Sequence, residues 1–199
     1  MRKIMILFLT ALMILLVPSC SRSGQIGQVK SLYEEKVCPA NEALEWAKSR
    51  DAVVFEDGRL TSGEDVWGKF YENAGKGKKC AVLVADYMTL DNVNMSEELY
   101  EQEKDNYPVM ELYLLEYDGD VFTINIRESD KKDTSETKSF KYLLHFTGDA
   151  PSQALYKTYD EYVLVNDPDL THERIIESMV SSILEMHVEH FTVYRNCID

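Results

Sequence analysis

The stretch Leu184-Glu185-Met186-His187-Val188-Glu189-His190 groups residue types that bind metals. If it were one helix, His187 and His190 would share a face, with Glu185 or Glu189 as a third ligand. On a strand the two histidines point to opposite sides, and His187 shares its side with Glu189 instead. The segment reads as leaving a helix and entering a strand, which separates the histidines, and it lacks H-E-x-x-H. His187 and His190 are therefore the candidate ligands of a site the pattern does not favour, and no metal or cofactor is expected. His145 is the candidate for acid–base work: it lies opposite the apolar face of its strand, where an imidazole near a substrate proton could act as a general base. The sequence identifies no carboxylate beside it. His172, in the first turn of the last helix, reads as exposed.

Oxygen ligands cluster at Asn166, Asp167 and Asp169, but the glycine and terminal glutamate of an EF-hand loop are missing. Capping of the following helix by Asp169 or Thr171 accounts for these residues. The one basic cluster, Gly75-Lys-Gly-Lys-Lys79, lacks the G-x-x-x-x-G-K-[ST] spacing of a phosphate loop and follows a helix rather than a strand, so it reads as a solvated turn. The chain has 12 tyrosines, and Tyr156, Tyr159 and Tyr162 fall on one strand. Tyrosine recurs in binding surfaces, but half-buried sheet packing is the favoured use here.

The elements that position these residues follow from periodicity. Residues 30–49 read as helix interrupted at Cys38-Pro39, with Asn41 available to cap the second piece. Ala52 to Phe55 is a short strand before the turn pair Asp57-Gly58. Thr61-Ser-Gly-Glu64 has the form of a capping box, opening a helix to about Ala74 with Val66, Trp67, Phe70 and Tyr71 as its stripe. From Cys80 the period becomes that of strands, and CAVLVADYMTL is apolar enough for burial on both faces. An acidic, helical connector follows. VMELYLLEY and DVFTINIRE form a hairpin around Asp118-Gly119, in which Tyr117 opposite Asp120 sets Leu115 against Phe122 and Tyr113 against Ile124. SFKYLLHFT reads as one strand with Phe140, Tyr142, Leu144 and Phe146 on a common face. ALYKTYDEYVLVN is another strand, with a bulge near Tyr159. A helix from about Thr171 to Leu184 presents Ile175, Ile176, Met179, Val180, Ile183 and Leu184 to the core, and a last strand runs from Val188 to Tyr194.

The N-terminus speaks to location. Ile4 to Val17 carries no charge and follows Arg2 and Lys3. As a helix it reaches roughly 21 Å, short of a hydrocarbon core of about 30 Å, and Pro18 breaks it. That is the form of a secretory signal. Val17-Pro18-Ser19-Cys20 resembles a bacterial lipobox, with Pro18 departing from the usual small residue. The resemblance implies that Cys20 receives a diacylglycerol and becomes the mature N-terminus. The expected organisation is a signal peptide over 1–19, a flexible tether with the lipidated cysteine over 20–30, and one extracytoplasmic domain over 31–199. Acyl chains contribute about 0.8 kcal/mol per buried methylene, and two chains anchor firmly. The membrane is then a partner through the lipid alone.

Charge narrows the other partners. The chain has a formal net charge of −14, and removing residues 1–19 takes away Arg2 and Lys3 and no acid. Such a surface is repelled by phosphate backbones, so no nucleic-acid partner is expected. With Cys20 assigned to lipid, Cys38, Cys80 and Cys197 remain; one disulfide with a free thiol and three reduced thiols are both compatible with the sequence.

Runs of antiparallel strands with helices toward both ends give an α+β fold built on a mainly antiparallel curved sheet. The order of elements over about 31–166 also resembles the NTF2-like cone, in which a curved sheet wraps a helix around a pocket. That resemblance implies His145 as a general base in the enzymatic alternative. The favoured expectation is a lipid-anchored protein of the cell envelope that binds a protein or small-molecule ligand without catalysis. A structural envelope component is the third reading.

Overall fold

A strand apolar on both of its alternating faces needs cover on two sides, and this requirement organises the molecule. The computed structural model describes residues 22–35, 37–91, 93, 95–150 and 154–199; residues 1–19 and Cys20 lie outside that set. In chain order the elements are α1 (Arg22–Glu35), α2 (Ala40–Lys48), β1 (Val53–Glu56), β2 (Arg59–Ser62), α3 (Glu64–Gly75), β3 (Cys80–Met88), α4 (Glu97–Glu103), β4 (Val109–Tyr117), β5 (Phe122–Glu128), β6 (Glu136–Phe140), β7 (Tyr142–Asp149), β8 (Thr158–Val165), α5 (His172–Val180) and β9 (His190–Ile198). A six-stranded sheet has the order β2-β1-β3-β4-β5-β6, and a three-stranded sheet has the order β7-β8-β9. Pairing is antiparallel except between β1 and β3. The fold is α+β, with its strands divided between two open sheets. Among the described residues no helix is long and apolar enough to cross a membrane.

Alternation along β3 and β4 builds two cores. Val82, Val84, Tyr113 and Leu115 point to one side, where Trp67 and Phe70 of α3 and the inner face of the small sheet meet them. Leu83, Ala85, Leu112 and Leu114 point to the other, under Tyr33 of α1 and Ala43, Leu44 and Trp46 of α2. Trp67 joins the layers: its ring stacks 4.8 Å from Tyr194 and meets Tyr162 edge-on at 5.0 Å. Aromatic pairs of this kind contribute about 0.5–1.5 kcal/mol beyond area burial. A buried Arg127 fastens α1 to the sheet, donating to the carbonyls of Tyr33, Glu128, Ser129 and Lys131. On the far side of the small sheet, Ile175 of α5 packs on Val163 and Val165.

Several elements differ from the sequence reading, each for a physical reason. Residues 22–30, a tether by composition, belong to α1, whose Val29, Leu32 and Tyr33 dock on the sheet. The hairpin turn holds four residues, because Asp118 Oδ1 accepts from the backbone N–H of Asp120 and of Val121, both at 2.9 Å. Tyr117 therefore pairs with Phe122, and Tyr113 with Ile126, a shift of two that keeps every side chain on its expected face. SFKYLLHFT is two strands: the chain leaves the large sheet after Phe140 and enters the small one at Tyr142. That corner exchanges the faces, so Phe140 and Leu143 share the inner core while Leu144 and Phe146 face α5. The bulge lies in β9 rather than β8: between the pairs Tyr162–Tyr194 and Val163–Thr192 the extra residue is Val193.

The capping box does not form. Thr61 lies in β2, its Oγ1 donating to the Val54 carbonyl, and the residue before α3 is Gly63 with φ +83° and no side-chain cap. A Cβ at Gly63 would lie 2.4 Å from the Ala52 carbonyl oxygen. Both the left-handed backbone and the contact exclude a side chain, so Gly63→Ala is expected to cost about 1–3 kcal/mol, read as a lower urea midpoint with an unchanged m-value.

Candidate functional site

The outer face of the small sheet carries a continuous polar chain. Alternation along β8 turns Tyr159 and Glu161 toward α5 and Asp160 and Tyr162 toward the inner core. Thr171 caps α5 by accepting from the Arg174 N–H at 3.2 Å, which sets His172 as the first helical residue above β8. Tyr159 Oη lies 2.9 Å from His172 Nδ1, and His172 Nε2 lies 3.2 Å from Glu161 Oε2. Arg195 of β9 donates from Nε to Glu161 Oε1 at 2.7 Å. Glu161 is only 4% exposed. A carboxylate paired with a guanidinium offers lone pairs alone, so Nε2 carries the proton shared with Glu161 and Nδ1 accepts from the tyrosine hydroxyl. The two rings lie 4.4 Å apart at 22°, so stacking supplies part of that contact. Burial, followed by the Glu161 charge, raises the Tyr159 phenol above its ordinary range and keeps it a donor.

Gly148 makes this geometry possible. It sits opposite Tyr159 across the β7–β8 pair, and a Cβ there would lie 2.8 Å from Tyr159 Oη. The missing side chain lets the tyrosine ring cross the neighbouring strand and reach His172.

Tyr159 and His172 lie in an open groove of about 380 Å³, walled by Glu173, Ile176, Glu177 and Val180 of α5 and by Asp149 and Ala150. Its α5 wall continues into an apolar surface. Ile176, Met179, Val180, Ile183 and Leu184 are all exposed, Val180 at 80% and Leu184 at 78%. The sequence reading placed these five in the core with Ile175; the helix stops at Val180, and of the six only Ile175 is buried. Glu173, Glu177, Glu185 and Glu189 alternate with them along the chain and are exposed, and Arg174 pairs with Glu177 at 3.8 Å.

The residues singled out from sequence are dispersed. His145 lies on the inner face of β7, 2.6 Å from Asp160 Oδ1 and stacked on Tyr162 at 4.1 Å, so it has the carboxylate the sequence did not identify. His187 faces the Ser181 carbonyl and His190 the Val188 carbonyl, each at 2.8 Å, and neither meets Glu185 or Glu189 in a ligand set. Among the described residues no group of three or more His, Cys, Asp or Glu side chains is arranged to hold a metal. Asn166 accepts from the Lys141 N–H, and Asp167 accepts from the Asp169 N–H. Cys38 is buried, Cys80 and Cys197 are half-buried, and the three lie in separate places. Sequence reasoning took His172 for exposed and passed over Glu161 and Arg195, because the chain joins three elements. The usable signal was an acid at 161 on the same strand face as Val163 and Val165.

A second polar feature lies between the sheets, where Asp86 and Glu111 are paired across β3 and β4 on the inner face. Tyr113 Oη donates to Glu111 Oε2 at 2.6 Å. Burial, followed by the Glu111 charge, pushes the Asp86 carboxyl up to about 6. No family model, no curated protein and no solved structure matches this chain.

Two outcomes follow from these geometries. Folding raises the Asp86 carboxyl, so the folded state takes up a proton that the unfolded state releases between about pH 6 and pH 4. The stability Asp86 contributes is full below about pH 4 and is lost as pH rises through 6, by roughly 3 kcal/mol at about 1.4 kcal/mol per unit. Asp86→Asn should flatten the urea midpoint between pH 4 and 8 relative to the parent and raise it at pH 8. Glu161→Gln leaves Arg195 and His172 without their anion and should cost about 2 kcal/mol, measured at pH 7 by urea unfolding.

Proposed function

We propose that this chain is a lipid-anchored binding protein of a bacterial envelope, tethered through Cys20. Its α5 face takes a partner segment that is apolar along one side and basic along its edges. The observation that carries the binding reading is the apolar surface of Ile176, Met179, Val180, Ile183 and Leu184 beside the groove, since exposed apolar areas rimmed by charge mark interaction sites. The interspersed glutamates give the charge preference: a basic rim gains Coulomb energy here and an acidic one loses it. His172 and Tyr159 then form a floor pinned by Glu161, able to meet a lysine or arginine side chain entering the groove.

The hydrogen-bond chain from Tyr159 to Arg195 favours a second reading, in which His172 performs acid–base chemistry in the groove. Loss of a measurable p-nitrophenyl acetate hydrolysis in His172→Gln would carry it. The NTF2-like form of the enzymatic reading draws its support from α3, gripped between the two sheets through Trp67, and from the His145–Asp160 contact.

Anchor and binding face are tested separately. The parent chain should take up labelled palmitate in cells and Cys20→Ala should not; no label on the parent defeats the anchor. For the binding face the probe is a synthetic 14-residue peptide with leucines on one helical side and lysines on the other, followed by fluorescence anisotropy. Val180→Asp with Leu184→Asp should weaken binding at least tenfold, while Val93→Asp, at an exposed site elsewhere, should not. Added aspartates strengthen a purely electrostatic attraction, so equal or tighter binding by the double variant defeats the proposal. Concentration-dependent dimerisation abolished by the same two substitutions would reassign the face to a second copy of the chain.

A further inference from the structure

The large sheet has a gap. β1 joins β3 only from Val53 opposite Val84, whereas β3 begins at Cys80. Among the described residues, therefore, no strand lies beside the four residues Cys80 to Leu83 on the β1 side. The chain arrives at β1 from α2 through a tight turn at 49–51, with Asp51 at φ 54°, and so enters the sheet late.

A cavity of about 500 Å³ occupies that gap, within the range of small-ligand sites. Cys80, Ala81, Val82 and Leu83 all line it. Cys80 and Val82 face the α3 side of the sheet, and Leu83 the α1 side. Successive strand residues point to opposite faces, so only the edge of a strand presents all four to one space. The floor of the cavity is thus the unpaired backbone edge of β3. α1 forms one wall through Ile26, Val29 and Leu32, and α3 forms the other through Val66 and Phe70.

We infer that this slot binds an extended peptide segment as an added strand in line with β1, about four residues or 13 Å long. Backbone groups of the segment complete the ladder of β3, and its alternating side chains enter the apolar walls on α1 and α3. This is recognition by strand addition, in which main-chain bonds give affinity and the side-chain pockets give selectivity. Charge selects the ends. Among the described residues, five charged side chains line the cavity: Lys69 pairs with Asp65 at 2.8 Å, and Arg50, Asp51 and Lys79 are exposed at its ends, outside the described ion pairs. The cations lining the slot outnumber its carboxylates by one, in a chain with a net charge of −14, so a segment of apolar residues with acidic rather than basic ends is favoured. The slot lies away from α5 and the inference does not depend on the function proposed for that face.

The test uses the full-length chain in detergent micelles and fluorescein-labelled Glu-Val-Thr-Val-Thr-Glu, with anisotropy as the readout. Two further peptides carry N-methyl groups, one on the odd and one on the even backbone amides. Only one set of amides points at β3, so one analogue should bind at least tenfold more weakly while the other keeps most of its affinity. Hydrogen exchange at Cys80 to Leu83 should slow when the unmodified peptide is bound. Gln28→Trp, at an exposed position on the α1 wall, should abolish binding with the thermal midpoint unchanged. No binding, equal binding by both methylated peptides, unaltered exchange at 80–83, or displacement of the peptide by palmitate would each overturn the inference, the last by making the slot an acyl pocket.

Discussion

Burial of β3 and β4 on both faces is the constraint from which the rest of the molecule follows. A two-sided apolar strand cannot stay in a sheet that faces water, and α1 and α2 can cover only one of its sides. The other side needs a layer as broad as the sheet itself. That layer is the small sheet together with α3, and Trp67 is the piece that makes the two behave as one surface. The chain reaches this arrangement by turning a corner at Lys141, where a single alternating run is shared between the two sheets. Without that corner β7 would extend β6, and the inner face of β4 would remain uncovered.

Face and register are specified by different physics, which explains how much of this was legible from residues alone. Alternation fixes the face, and the faces of β3, β4 and β5 follow directly from it. Register depends on the turn, and the Asp118 side chain, by holding two backbone N–H groups, lengthens the turn without changing parity. The corner at Lys141 left no trace in the alternation, because both halves keep period two while exchanging faces. α1 was hidden for another reason: its two glycines and two serines have poor intrinsic preference, and its helix is held by docking and by the Arg127 clamp.

The candidate site was less legible than the fold. Each of its members has an ordinary reading in isolation: a strand tyrosine, a first-turn histidine, an acid among valines, a late arginine. Only the acid was out of place, since a carboxylate on the buried face of a strand must be matched by a donor. Finding that donor required knowing that β9 lies beside β8 and that α5 crosses above both. His145 shows the converse. It does lie on a strand, but the corner at Lys141 turns it toward the inner side, and Asp160 becomes its neighbour only through the β7–β8 pairing.

The exposed surface on α5 follows from the width of what lies beneath it. Three strands at about 4.8 Å spacing make a face that a single helix of about 10 Å diameter nearly fills. One stripe of that helix can touch the sheet, and Ile175 with Ser178 is that stripe. The chain nevertheless supplies five more large apolar residues within the next nine positions, and then ends the helix at Val180, so that Ile183 and Leu184 cannot reach the sheet. A sequence selected only to cover β8 would place polar residues there, because each exposed apolar side chain forgoes the roughly 1.5–3 kcal/mol its burial would contribute. The surplus packs on nothing within the described fold, and its position beside a groove with a pinned polar floor is the ground on which the binding proposal stands.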